Sequence, residues 1–195
     1  MNIDDGTGKG NLAKVDSSNR LHTDAVTKVE GVEANLNGDA YNINTGILSL
    51  TNATETPVLY LKNNESRSLS IDGIVIGLFG STGGDASADV YSTIVRNPTT
   101  GTTISNANDV SINSNRNYGS SNTLASIAYK GATGETMTNG DDHIIVRVSP
   151  GSRSFLSINE LLQKGNSIGI KIKPPVGNTA MSVYVAVICH LISSD

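Results

Sequence analysis

Gly6-Thr7-Gly8-Lys9-Gly10-Asn11 has the glycine and lysine content of a phosphate-cradling loop. Such a loop needs a preceding strand, and Lys-Ser or Lys-Thr opening a helix, so that backbone N–H groups converge on phosphate. Here no strand pattern precedes, no helical pattern follows, and Gly10 follows Lys9, so the segment reads as flexible glycine. Gly140-Asp141-Asp142-His143 places two carboxylates beside an imidazole, the side chains of a metal or acid–base site. Neighbouring residues on a strand point to opposite faces, and a hard cation would need further oxygen ligands, so the sequence predicts a solvated turn. His22, His143 and His190 are far apart in sequence, and a hydrolytic triad would need one of them beside an oriented nucleophile. Cys189 and His190 are neighbours on a predicted strand, where their side chains diverge; Cys189 reads as a buried, inert thiol. No residue is assigned a catalytic, cofactor-binding or metal-binding role.

The elements that would have to position such groups follow from composition. The chain has 195 residues, 14 Lys+Arg against 18 Asp+Glu, 37% hydrophobic and 4% aromatic residues, 20 Gly and no Trp. Small polar residues fill the remainder, a mixture suited to turns and strand faces. This composition excludes a coiled coil, a collagen and a disulfide scaffold. Lys62, Arg67, Arg96, Arg116, Lys130, Arg147, Arg153, Lys164, Lys171 and Lys173 are scattered and not interleaved with aromatics, so no nucleic-acid partner is expected. No stretch approaches the ~20 apolar residues of a membrane helix. The acidic, polar start Met1-Asn2-Ile3-Asp4-Asp5 does not read as a secretory signal. The sequons Asn52-Ala53-Thr54 and Asn64-Glu65-Ser66 therefore carry no weight, and a lone cysteine fits folding in a reducing cytoplasm.

Two parts are expected. Residues 1–37 hold only isolated apolar side chains. Val26, Val29 and Val32 are three apart, but Gly31 interrupts them and Val is a poor helix former. The sequence predicts an extended N-terminal arm that orders against a neighbouring subunit. Residues 38–195 carry short apolar runs punctuated by turns: Val58–Leu61, Leu69–Leu78 around a bend at Gly73, Val90–Ile94, Ile104, Val110 with Ile112, Leu124–Tyr129, Ile144–Val148, Ser154–Ile158, Ile168–Ile172 and Met181–Leu191. About eight to ten strands at this spacing predict an all-β, jelly-roll-like antiparallel β-sandwich. Ser157-Ile158-Asn159-Glu160, with Leu161, Leu162 and Gly165 after it, fits a capping box and predicts one helical turn. Val183, Val185 and Val187 alternate with Tyr184, Ala186 and Ile188, so the last strand is apolar on both faces and belongs in mid-sheet or at a subunit interface.

Gly38-Asp39-Ala40-Tyr41-Asn42-Ile43-Asn44-Thr45-Gly46, Leu50-Thr51-Asn52, Val58 to Glu65 and the opening Gly6-Thr7-Gly8 with Ala13 to Leu21 resemble small virion structural proteins of tailed bacteriophages, including marine phages. The resemblance runs from residue 6 to about residue 80, with a looser echo in Lys164–Ile168 and Ala180–Val183. It implies a structural component of a phage particle, a sandwich preceded by an arm, and carries no catalytic residues over. The leading expectation is a non-enzymatic capsid decoration (cement) protein, a homotrimer bound to the major capsid protein and assembled in the host bacterial cytoplasm, without cofactors. The alternative is a tail-, collar- or fibre-associated protein contacting other tail parts or a host receptor. A carbohydrate-active enzyme would need paired carboxylates on a concave face and aromatic platforms, and the scarcity of aromatics argues against it.

Overall fold

The computed structural model describes residues 3–4, 12–13, 29–80, 89–100, 115–131, 135–177 and 181–192. The Gly6–Asn11 loop, His22, Ile104, Val110 and Ile112 lie outside these. In chain order the elements are β1 (Ile3–Asp4), β2 (Leu12–Ala13), α1 (Glu30–Asn37), β3 (Ala40–Asn44), β4 (Leu48–Leu50), β5 (Thr56–Lys62), β6 (Leu69–Phe79), β7 (Val90–Arg96), β8 (Thr99–Thr100), β9 (Ile127–Tyr129), β10 (Met137–Thr138), β11 (Asp141–Val148), β12 (Arg153–Leu162), β13 (Ser167–Lys173) and β14 (Met181–Leu191).

Two antiparallel sheets make a β-sandwich. The first has the order β11-β7-β13-β5-β9 and the second β12-β6-β14-β3, with β4 also on β14. Two small pairs, β1 with β2 and β8 with β10, lie apart from these sheets. The core between the sheets is almost wholly aliphatic: Leu59, Leu61, Ile94, Ile168, Ile170 and Ile172 face Ile71, Ile74, Ile76, Val183, Val185 and Val187. Branched side chains fill a flat interlayer space with little rotamer loss, which is how so few aromatics suffice. As expected, β14 lies in mid-sheet between β6 and β3; its Val183, Val185 and Val187 are fully buried, whereas Ile188 is half-buried on the outer face. Where β3 ends, Thr45 continues the ladder: the Val185 N–H donates to Thr45 Oγ1 at 3.0 Å and the Thr45 N–H to the Val185 carbonyl at 2.9 Å.

Two expectations are corrected. The predicted helical turn at Ser157–Gly165 is strand through Leu162, with a bulge between Ser157 and Glu160. Ile158 and Leu162 both reach the core from β12, so pairing with β6 overrides the local capping signal. Gly165 instead adopts φ +87° in the turn to β13. The bend expected at Gly73 is present, since Asp72 is the extra residue where the β14 register shifts.

The second correction concerns only the last residues of the expected arm; residues 14–28 and most of those before them lie outside the described residues. Residues 30–37 are not extended but form α1, packed on the outer face of the second sheet. Its packed face uses small residues: Ala34 is buried, and Gly31 lies over the His190 ring. Val29 and Val32 are exposed. Gly38 closes the helix at φ +76°, with the Gly38 and Asp39 N–H groups returning to the Asn35 and Ala34 carbonyls. Three asparagines then satisfy the last carbonyls: Asn117 Nδ2 donates to Leu36 O at 3.1 Å, Asn122 Nδ2 to Asn37 O at 3.3 Å and Asn115 Nδ2 to Gly38 O at 2.6 Å.

Candidate functional site

The run from Gly140 to His143 is the strongest chemical candidate in the sequence. Asn139 and Gly140 form the expected turn, both with positive φ, but Asp141 already belongs to β11. The register of β11 on β7 shifts between Asp142 and Ile144, making His143 a bulge residue. The bulge sends Asp142 and His143 to different partners. Asp142 turns to the outer face and meets Lys171 Nζ at 3.0 Å, with Glu55 at 3.6 Å. Burial pulls the Lys171 pKa down, but the hydrogen bond to Asp142 and the charges of Glu55 and Asp142 outweigh it and hold the ammonium above its ordinary value. His143 instead bridges the sheets: its Nε2 lies 2.8 Å from Glu160 Oε1, delivered by the second bulge on β12.

This pair lines a pocket of about 230 Å³ between β7 and β13 of the first sheet and β12, the edge strand of the second. Ile94, Leu162 and Ile168 are apolar lining residues, and Arg96, Asn97, Asn166 and Ser167 are polar ones. Several polar groups are already committed: Asn97 Oδ1 accepts the Ser167 N–H at 3.1 Å, and Ser167 Oγ donates to Pro98 O at 2.7 Å. The pocket offers hydrogen-bond donors and acceptors but no nucleophile held against a base. Among the described residues no group of three or more His, Cys, Asp and Glu could hold a metal ion.

His190 and Cys189 diverge as the sequence predicts. His190 Nδ1 lies 2.9 and 3.0 Å from the two Asp72 carboxylate oxygens beneath α1. Cys189 faces the core, its Sγ 3.7 Å from Tyr41 O, and burial pushes the thiol pKa far above its ordinary value. That is the inert thiol expected.

The second candidate is a surface. The chain has 2 Phe and 6 Tyr, and both phenylalanines stand on the outer face of the second sheet: Phe155 is 61% and Phe79 44% exposed. Tyr184 joins them, its ring centroid 5.6 Å from that of Phe79. Phe155 lies over Gly73 and Tyr184 over Gly77; a Cβ at either glycine would run into the ring. Val75, Ala186 and Ile188 complete the patch through the cross-strand pairs Phe155–Val75 and Val75–Ala186 and the pair Gly73–Ile188. No protein-family model matches the chain, and no curated protein matches its sequence. The sequence hinted at this surface through the two-sided apolarity of β14, but Phe79 and Phe155 lie on other strands, and only the β6 and β12 registers bring them beside it.

Proposed function

We propose that this chain is a non-enzymatic structural subunit of a tailed-bacteriophage virion, a capsid decoration protein seated on the major capsid shell as an oligomer, with three copies the expected number. The observation that carries this reading is the apolar outer face of the second sheet. An exposed patch holding both phenylalanines of the chain is the mark of a protein that is covered by another. The sequence resemblance supports the virion as the setting. The strand order supports it too: eight of the strands fall into the orders β12-β6-β14-β3 and β11-β7-β13-β5, as they would in a jelly roll. In this reading the protein folds in the host cytoplasm and joins the particle without a cofactor or nucleic-acid contact.

The pocket beside His143 and Glu160 favours the second reading, a tail- or fibre-associated protein that contacts a host receptor. Copy number separates the two. Quantitative mass spectrometry of purified particles should give a count comparable to that of the shell protein; a count matching the tail parts would move the assignment to the tail.

A further inference from the structure

Arg96 ends β7, and the alternation of that strand puts it on the core-facing side, two residues on from Ile94. Its cross-strand neighbours are Ile168, which is buried in the core, and Asp141. Among the described residues Arg96 has no ion-pair partner, Asp141 included. The nearby carboxylates are committed elsewhere, Asp142 to Lys171 and Glu160 to His143. A guanidinium is thus left free at the open end of the core, in the wall of the pocket.

The rest of that wall is neutral or shared. Asn97 is clamped to Ser167: its N–H donates to the Ser167 carbonyl at 2.9 Å and its Oδ1 accepts the Ser167 N–H at 3.1 Å, which leaves Nδ2 to donate. Asn166 is fixed through its backbone, which donates to Gln163 O and accepts from the Asn63 N–H, so its side-chain amide is spare among the described residues. Glu160 Oε1 faces His143, and Oε2 remains as an acceptor.

We propose that this pocket binds a hydroxylated carboxylate of monosaccharide size, with a uronic acid the simplest case. The free guanidinium calls for the carboxylate, which it matches with two parallel N–H donors. Two amides and a carboxylate oxygen spread around the wall match several hydroxyls better than one ammonium group. The aliphatic side chains of Ile94, Leu162 and Ile168 take the C–H face of a ring. A volume of about 230 Å³ lies below the roughly 300–1,000 Å³ of pockets for drug-sized ligands, so it suits a single ring. No aromatic side chain lines the pocket, so a neutral sugar would find neither a charge nor a stacking platform. The inference deepens the second reading above and rests on it only for the setting, in which the acid belongs to a host receptor.

Amide NMR of the full chain, titrated with sodium glucuronate at constant ionic strength, tests this. The expected Kd is on the order of 1 mM, with saturable shifts at Arg96, Asn97 and the Asn166–Ile168 amides. Arg96→Gln changes an exposed side chain and should weaken binding about tenfold or more with the spectrum otherwise intact. Glucose, acetate and inorganic phosphate should each bind at least about tenfold more weakly than glucuronate. No saturable shift, shifts confined to other parts of the chain, or shifts that Arg96→Gln leaves unchanged overturn the proposal. So does equal binding of acetate or phosphate, which would mean that charge alone is read, or of glucose, which would mean that the guanidinium is not used. Should Arg96→Gln fail to fold, Asn166→Ala decides, with a severalfold loss expected and unchanged binding overturning the hydroxyl contacts. Methyl glucuronide, the form such a sugar has at the end of a chain, separates the site from its setting: bound like glucuronate, it supports both, whereas its exclusion leaves a site for the free acid and removes the receptor reading.

Discussion

Asn63 is fully buried with all of its polar atoms engaged. Its Nδ2 donates to Leu162 O at 2.8 Å and Arg67 O at 3.0 Å, while Oδ1 accepts the Glu65 N–H at 2.8 Å and Ser126 Oγ at 3.3 Å. Its backbone N–H donates to Asn166 O and its carbonyl accepts from Gly165. One amide therefore joins the β5–β6 turn, the end of β12 and the segment before β9. Asn63→Leu keeps the volume but strands these partners, and should lower unfolding free energy by on the order of 3 kcal/mol in urea titrations; an unchanged midpoint would show that water replaces the side chain freely. Tyr41 supplies a pH test. Burial raises its pKa from 10.0 to about 12, with the Asp39 charge adding to the effect. The folded state then holds a proton that the unfolded state releases, so stability should be unaffected below pH ~10 and fall as pH rises toward ~12. Tyr41→Phe should flatten that alkaline limb of the stability profile; an identical limb would assign it to other groups.

At the scale of elements, two substitutions separate core from attachment. Val185→Asp puts a charge between the sheets with no partner, a cost of several kcal/mol; soluble, normally assembled protein would contradict the burial of β14. Gly38→Ala acts locally, because φ +76° disfavours a side chain and the added Cβ would meet Ser120. It should cost about 1–2 kcal/mol and speed amide exchange in α1 while β14 stays protected. These elements also show what is readable in the sequence. Strands such as β6, β13 and β14 announce themselves by alternation, because one face is buried and the period is two. The helix α1 does not, because its packed face is glycine and alanine and its apolar residues face solvent. Ser157–Glu160 misleads because the capping pattern is local, whereas the pairing of β12 with β6 joins residues far apart in sequence, from Arg153 with Gly77 to Leu162 with Leu69. The pocket is hidden for a related reason: His143 and Glu160 meet only through two bulges on edge strands of different sheets.

At the scale of the whole molecule, the described residues form a sandwich with a clamped helix and an exposed apolar patch on the outer face of the second sheet. That face should matter more to particles than to the isolated fold. Removing Phe155 deletes contacts mainly with Gly73 and solvent, so thermal unfolding of the isolated subunit should shift little, whereas assembly should suffer. The most direct test of the central claim is the heat stability of phage particles made with and without this protein, read as release of DNA on warming. Particles lacking it should release DNA at a lower temperature, and adding back purified wild-type protein should restore them. Particles of unchanged stability, with the protein found only among tail parts or absent from the virion, would contradict it.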